Sequence, residues 1–502
     1  MLSDSSWLRS LTISRRRIVL LLLAGGLIFV FSIYLEWSGY TNLTSLPWPT
    51  LSPSPADLSP SDSLSDIFFP GGLPEEDHSW MAENDRTIAS LFRCVEQGNC
   101  RNQTKVVILA GGPFRGVLRG DNGGEAIWAN STIIALQRLG YSFLYSSSRE
   151  RTSHLYSMFR NLVIAIFADV PDVKACFHDH DCVRVERNLR GIPAWKLFSF
   201  HFWSSADNPL GRKWTLSPEL VSDIIHVEAV TDHSLDAVER YCILGVSHSM
   251  PLADQSPDSY NTYLGYSIEP QCAHQTHIPF DVRPAQAFVY SKHVQNFNGS
   301  KYAWAPDFFD EASAAAGVEF IAGVHGTDLP EFFPSNITNV GFMAQADFYS
   351  VVANSRVVIG VGRPVTHVLS RFSVSHFGST KSGHRSPTPY EALCFGVPFI
   401  NPILNWDRKN PTDRTRWDSQ HDTLKYLDPP HVYNVFKDDK EGFINAVVQA
   451  TSTPIESFVL PDMRISAIEA RLGGILETDW KAEAAELLAD RKASRVGETF
   501  WL

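Results

Sequence analysis

The apolar positions of this chain form one long unbroken run near the start and many short ones later. Ile18 to Leu35 contains no charged residue and follows Arg15, Arg16 and Arg17. As a helix, that run reaches ~27 Å at ~1.5 Å per residue, enough to cross a thin bilayer such as those of the early secretory pathway. The basic cluster keeps residues 1–17 cytoplasmic and sends the remainder to the lumen. A cleaved signal peptide has a shorter core and small residues at its cleavage site, whereas Tyr34 is followed by Leu35, Glu36 and Trp37. Residues 18–35 therefore read as an uncleaved signal anchor. From Thr41 to Glu75 the chain is rich in Ser and Pro, which reads as an extended stem over 36–85.

Beyond the stem, short apolar runs alternate with helical patterns. Lys105 to Ala110 (KVVILA) reads as a buried strand, Glu125 to Leu139 as a helix, and Tyr141 to Tyr145 and Leu162 to Phe167 as further strands. The scheme repeats with a strand at Ala287 to Tyr290, a helix at Phe308 to Ala316 and a strand at Val318 to Ile321. A helix at Asp347 to Asn354 and a strand at Arg356 to Gly360 follow. Such alternation implies parallel sheets with crossover helices. The expected fold class is α/β, with two Rossmann-like domains facing a cleft, over 86–280 and 281–475, and a C-terminal helix at 476–502. One large α/β domain is compatible with the same periodicity.

Composition narrows the partners. The chain has 43 basic and 55 acidic residues; without the first 17 residues the balance is 39 against 54, a net of −15. That excess argues against nucleic acid and against anionic lipid surfaces. Sequons at Asn42, Asn102, Asn130, Asn298 and Asn336 suit lumenal exposure, although Asn130 shares a helix face with Ile127 and Ile134 and is expected to stay unmodified. Cys94/Cys100 and Cys176/Cys182 share one spacing, Cys242/Cys272 make a third candidate pair, and Cys394 is left as a buried free thiol. Asp179-His180-Asp181 has the form of a metal-binding string, but inside the Cys176/Cys182 loop it reads as an exposed charged turn; no metal site is expected.

Two stretches carry candidate chemistry. Gly111 to Gly124 (GGPFRGVLRGDNGG) is a glycine-rich turn after the first strand, leading to Glu125 at a helix start. Asn122 and Glu125 stand at capping-box spacing; alternatively, Glu125 is a general base in a partly dry cleft. Ser386 to Pro402 (SPTPYEALCFGVPFINP) places Thr388 and Glu391 at the same spacing before a strand at Val397 to Ile400. Glu391 is either a cap or an acceptor of hydrogen bonds from a ribose diol.

From about Lys105 to Ile475 the chain resembles glycosyltransferase family 18, the family of the α-1,6-mannosylglycoprotein 6-β-N-acetylglucosaminyltransferases. The matching pieces are Gly124-Glu125 with Ile133 to Gly140, Gly211 to Leu220 (GRKWTLSPEL), Ser256 to Glu269 (SPDSYNTYLGYSIE) and Val324 to Thr327 (VHGT). The run from Val340 through Asn401-Pro402, with VIGVG at 358–362 and PYEA at 389–392, completes the set. The resemblance implies a GT-B fold, with a UDP-sugar in the C-terminal half and the acceptor in the N-terminal half. It implies a Golgi type II membrane protein and an inverting, metal-independent transfer of GlcNAc from UDP-GlcNAc to a mannose of a protein N-glycan, with no cofactor.

On the matching positions Glu125 would be the catalytic base. His325, Gly326, Thr327, Gly360, Gly362 and Glu391 would bind the donor. Lys213 and Trp214 would reach the acceptor, though Trp214 reads equally well as core. Residues 365–384 (VTHVLSRFSVSHFGSTKSGH) exceed the family pattern and are expected to form a lid. Two other classes remain open: a noncatalytic Golgi glycan-binding protein on the same fold, and a glycoside hydrolase using Glu125 and Glu391 as its carboxylate pair.

Overall fold

The computed structural model describes residues 79–121, 123–201, 208–218, 261–298, 302–326, 329–362, 386–421 and 423–502. All fall within one compact unit, Ser63–Leu502. The expected anchor at 18–35 and the expected lid at 365–384 lie outside the described residues. Among the described residues no helix is long and apolar enough to cross a membrane.

The first sheet contains β1 (Val106–Leu109), β2 (Ser142–Tyr145), β3 (Val163–Ala168), β4 (Leu197–Phe200), β5 (Thr215–Ser217) and β6 (Thr262–Tyr263). Their order is β2-β1-β3-β4-β5-β6 with every pairing parallel. Runs such as VVIL are buried at every position, as a sheet covered on both faces requires. The first helices are α1 (Ser79–Gln97), α2 (Gly112–Leu118), α3 (Gly124–Leu139), α4 (Arg149–Phe159), α5 (Val170–His178) and α6 (Glu269–His274). Helix α1 begins inside the stretch read as stem. Buried Asn84 anchors it, donating to the Tyr145 carbonyl at 2.8 Å and accepting from the Tyr145 N–H at 2.7 Å.

The second sheet contains β7 (Gln286–Tyr290), β8 (Glu319–Ala322), β9 (Ile337–Asn339), β10 (Val357–Gly360), β11 (Phe399–Asn405), β12 (Asp418–Ser419) and β13 (Val432–Phe436). Its parallel order β9-β8-β7-β10-β11-β13 is 3-2-1-4-5-6 in the sheet's own count, the doubly wound order, with short β12 antiparallel to the end of β11. The helices here are α7 (Pro306–Ala316), α8 (Gln345–Asn354), α9 (Thr388–Cys394) and α10 (Lys440–Ala450). The sequence expectation of two Rossmann-like sheets thus describes the architecture.

The chain then returns to the first half through α11 (Ile465–Glu477) and α12 (Trp480–Ser494). Arg471 of α11 donates to the Leu264 carbonyl at 2.7 Å, and the Lys105 ammonium pairs with Glu477 at 2.6 Å. Trp480 of α12 meets the rings of Phe198 and Trp214 at 4.8 and 5.3 Å. One buried apolar cluster runs from Trp128 and Phe200, through Tyr266 and Tyr390, to Phe288 and Phe399, so the two halves share a core.

The cysteines revise one expectation. Cys94–Cys100 and Cys176–Cys182 pair as the spacing indicated, but Cys272 joins Cys394, not Cys242. Cys394 is therefore no free thiol; its bond links α6 to the end of α9. Cys242 lies outside the described residues.

Candidate functional site

In doubly wound sheets a crevice opens where the strand order reverses, beyond the C-terminal strand ends. The first sheet reverses between β1 and β3, and its own residues fill that point. The Gly111 to Gly124 stretch, expected to be a glycine-rich loop, contains α2 over Gly112–Leu118, whose Phe114 is fully buried against Phe200, ring centroids 4.4 Å apart. Asp169, just past β3, accepts from the Gly112 N–H at 2.9 Å.

The second sheet reverses between β7 and β10, and polar groups converge there. Tyr290, the last residue of β7, shares a hydrogen bond of 2.7 Å with Ser386, just before α9. Glu391 lies on α9 at 2% exposure, and its Oε1 accepts from the Tyr349 hydroxyl of α8 at 2.8 Å. Tyr349 also accepts from Gln345 one turn earlier. Burial pushes the Glu391 carboxyl up to about 7, opposed by the Tyr349 hydrogen bond and the nearby Lys292 charge. Burial, with the Glu391 charge adding to it, raises the Tyr349 phenol as well.

The capping reading of Glu391 does not hold. Pro387 is the N-cap of α9 and no side chain caps it, so Glu391 is the fourth helical residue and its carboxyl is turned to Tyr349. Buried Arg283 fixes the other end of this helix, donating to the carbonyls of Gly396 at 2.8 Å and Phe395 at 3.1 Å.

Gly360, which ends β10, and Gly362, two residues on, are explained by packing. A Cβ on Gly360 would collide with Gln420, Pro402 and Phe399, while the Gly360 carbonyl accepts from the Trp304 indole at 2.7 Å. Gly362 has φ +123°, pairs with Tyr302 and donates to Gln420 at 3.1 Å. His325 is exposed on the loop after β8 and stacks between His293 and Phe342; Gly326 beside it has φ +108°, and Thr327 lies outside the described residues.

Glu125 occupies an exposed position in the first turn of α3. The N-cap is Gly123 without a side-chain hydrogen bond, so Glu125 is the second helical residue and the expected capping box is not formed; Asn122 lies outside the described residues. One turn further on, Trp128 stacks on Phe200, the last residue of β4, at 3.5 Å, which sets the start of α3 at the C-terminal strand ends. The segment 264–268 connects the two glutamate-bearing helices. Ser131 of α3 bonds the Ser267 carbonyl and N–H at 2.9 Å, and the Tyr266 ring meets Tyr390 of α9 edge-on at 6.5 Å.

Of the two expected acceptor residues, Trp214 is placed in the core and Lys213 at a half-buried ion pair. Trp214 is 2% exposed, donates to the Trp195 carbonyl at 3.2 Å and packs on Trp480, so its ring offers no face to a sugar. Lys213 pairs with Glu483 of α12 at 2.5 Å. In the Cys176–Cys182 loop, His180 and Asp181 are exposed and Asp179 sits 3.6 Å from Arg149.

Sequence reasoning missed Tyr349, Lys292 and Tyr290, and gave no role to Ser386 at the head of its second stretch. Tyr349 lies on a helix that was expected, but nothing local ties it to a glutamate 42 residues away. The strand order would have drawn attention to the loop after β7.

No family model and no curated protein matches the sequence. Solved structures do show similarity. AviGT4, a glycosyltransferase involved in avilamycin A biosynthesis, is 11% identical, with 78% of this chain and 99% of that one covered and a TM-score of 0.37. The UDP-GlcNAc 2-epimerase of Methanocaldococcus jannaschii is 11% identical over 81% and 84%, TM-score 0.26. CalG4, the calicheamicin glycosyltransferase, is 13% identical over 78% and 99%, TM-score 0.26. Likenesses this distant carry no argument about activity, and the fold stands on the strand order above.

Proposed function

We propose that this chain is an inverting glycosyltransferase that moves GlcNAc from UDP-GlcNAc, in β linkage, onto a mannose of a protein N-glycan. The observation that carries the reading is Glu391, a buried carboxyl at the reversal of a doubly wound sheet that is engaged by a tyrosine and serves no cap. Such a group suits the two hydroxyls of a ribose, as acidic residues in nucleotide folds do.

In this reading His325, Gly326, Thr327, Gly360 and Gly362 border the donor, the last two by keeping the β10 loop close to Gln420. Glu125 takes the proton from the acceptor hydroxyl while that oxygen attacks the anomeric carbon and UDP departs. Its place in an uncapped first turn leaves the carboxylate available. The family resemblance adds the 6-position of the α-1,6 arm as acceptor, a metal-independent reaction and a Golgi membrane location through residues 18–35.

The test is incubation of the chain with UDP-GlcNAc and a panel of N-glycans, in EDTA. UDP release coupled to glycan growth supports the proposal. Glycan shortening indicates a hydrolase, and binding without turnover a lectin; either overturns it. Activity that returns only with Mn²⁺ overturns the metal-independent step.

A further inference from the structure

Three parallel strands, β7, β8 and β9, end side by side, and the loops after them stack three rings. His293 and His325 lie 5.7 Å apart at 19°, and His325 and Phe342 lie 4.8 Å apart at 29°. The outermost ring, Phe342, is 73% exposed. It forgoes the burial that ordinarily stabilises a phenylalanine, while the next residue, Met343, packs inward against the shared core.

This column is held rigidly. The His325 N–H donates to the Lys292 carbonyl at 3.0 Å. Asn339, at the end of β9, accepts from the N–H groups of Val324 and Gly341, both at 3.0 Å, and donates to the Gly326 carbonyl at 3.2 Å. One side chain thereby clamps the loop bearing His325 to the loop bearing Phe342. A rigid frame that turns a large ring into solvent offers a flat face on which a planar group can stack.

We propose that Phe342, backed by His325 and His293 and positioned by Asn339, is the platform on which the nucleobase of the donor stacks. The inference rests on the nucleotide-sugar reading above. It follows from the strand ends: Tyr290, three residues before His293, is bonded at 2.7 Å to Ser386 just before α9, and His293 bridges to His325, so the column borders the crevice at Glu391. A ribose seated on that carboxyl projects its base toward the neighbouring wall. Stacking uses the π-face common to all bases, so the platform supplies affinity and leaves base identity to other groups.

The experiment titrates the full chain and its Phe342→Ala and Phe342→Trp variants with UDP and with pyrophosphate as a base-free probe, after matching melting temperatures. Loss of one stacked base weakens UDP binding about 5- to 150-fold in Phe342→Ala. Pyrophosphate affinity stays unchanged. Phe342→Trp retains UDP binding, and UDP quenches its added indole fluorescence. UDP affinity unchanged in Phe342→Ala, or equal loss of UDP and pyrophosphate, overturns the platform while leaving the donor reading intact. A wild-type chain that binds no UDP overturns the donor reading first and the platform with it.

Discussion

At the scale of single residues, environment decides what each candidate side chain can do. Glu391 is held neutral to about pH 7 by burial, against 4.5 for a free glutamate. Between those values the folded protein keeps a proton that the unfolded chain has released. The stability contributed by the neutral acid is therefore fully present below pH 4.5 and lost as pH rises through about 7, by roughly 3 kcal/mol. In urea unfolding, Glu391→Gln should gain stability over wild type on going from pH 5 to pH 8. A wild-type profile that is flat over that window would contradict the burial argument. Trp214 gives the opposite case, a residue with a structural role. Trp214→Ala should cost ~3–5 kcal/mol in unfolding, with the acceptor KM of the folded fraction unchanged; a raised KM at unaltered stability would restore it to the acceptor surface. Such distinctions were beyond the sequence, since an indole in GRKWTLSPEL looks the same whether it faces Trp480 or water.

At the scale of elements, the legible parts were those with their own periodicity. KVVILA and the pattern from Glu125 to Leu139 correspond to β1 and α3 within a residue or two. The strands β5, β6, β9 and β12 have only two or three residues each, too few to show a period, and exist because longer neighbours pair with them. Helix α2 was concealed by its glycines; Pro113 in its first turn, the bond from Gly112 to Asp169 and the burial of Phe114 account for it. The Cys272–Cys394 link spans 122 residues and could not be chosen from spacing. Gly360 and Gly362 were expected, from the resemblance, to border the donor; both also pack on Gln420. Gly360→Ala should therefore destabilise by ~1–3 kcal/mol, read as a lowered melting temperature, and should also weaken UDP binding. Unchanged stability would mean that Gln420 moves aside freely.

At the scale of the whole molecule, two similar sheets are joined by a common core and by the return of α11 and α12. They place one glutamate apiece on opposite sides of segment 264–268. With chemistry proposed for the first half and nucleotide binding for the second, the decisive variant is one that separates the two roles. The measurement is made on Glu125→Gln, with melting temperature, UDP affinity and turnover of UDP-GlcNAc with a glycan acceptor all read on one preparation. Glu125 is exposed and makes no cap, so stability should change by less than ~0.5 kcal/mol. UDP affinity should hold, because Glu391 is intact. Turnover should fall by ~10²–10⁴-fold, the usual contribution of a general base. A folded Glu125→Gln protein that binds UDP and turns over at nearly the wild-type rate would contradict the account.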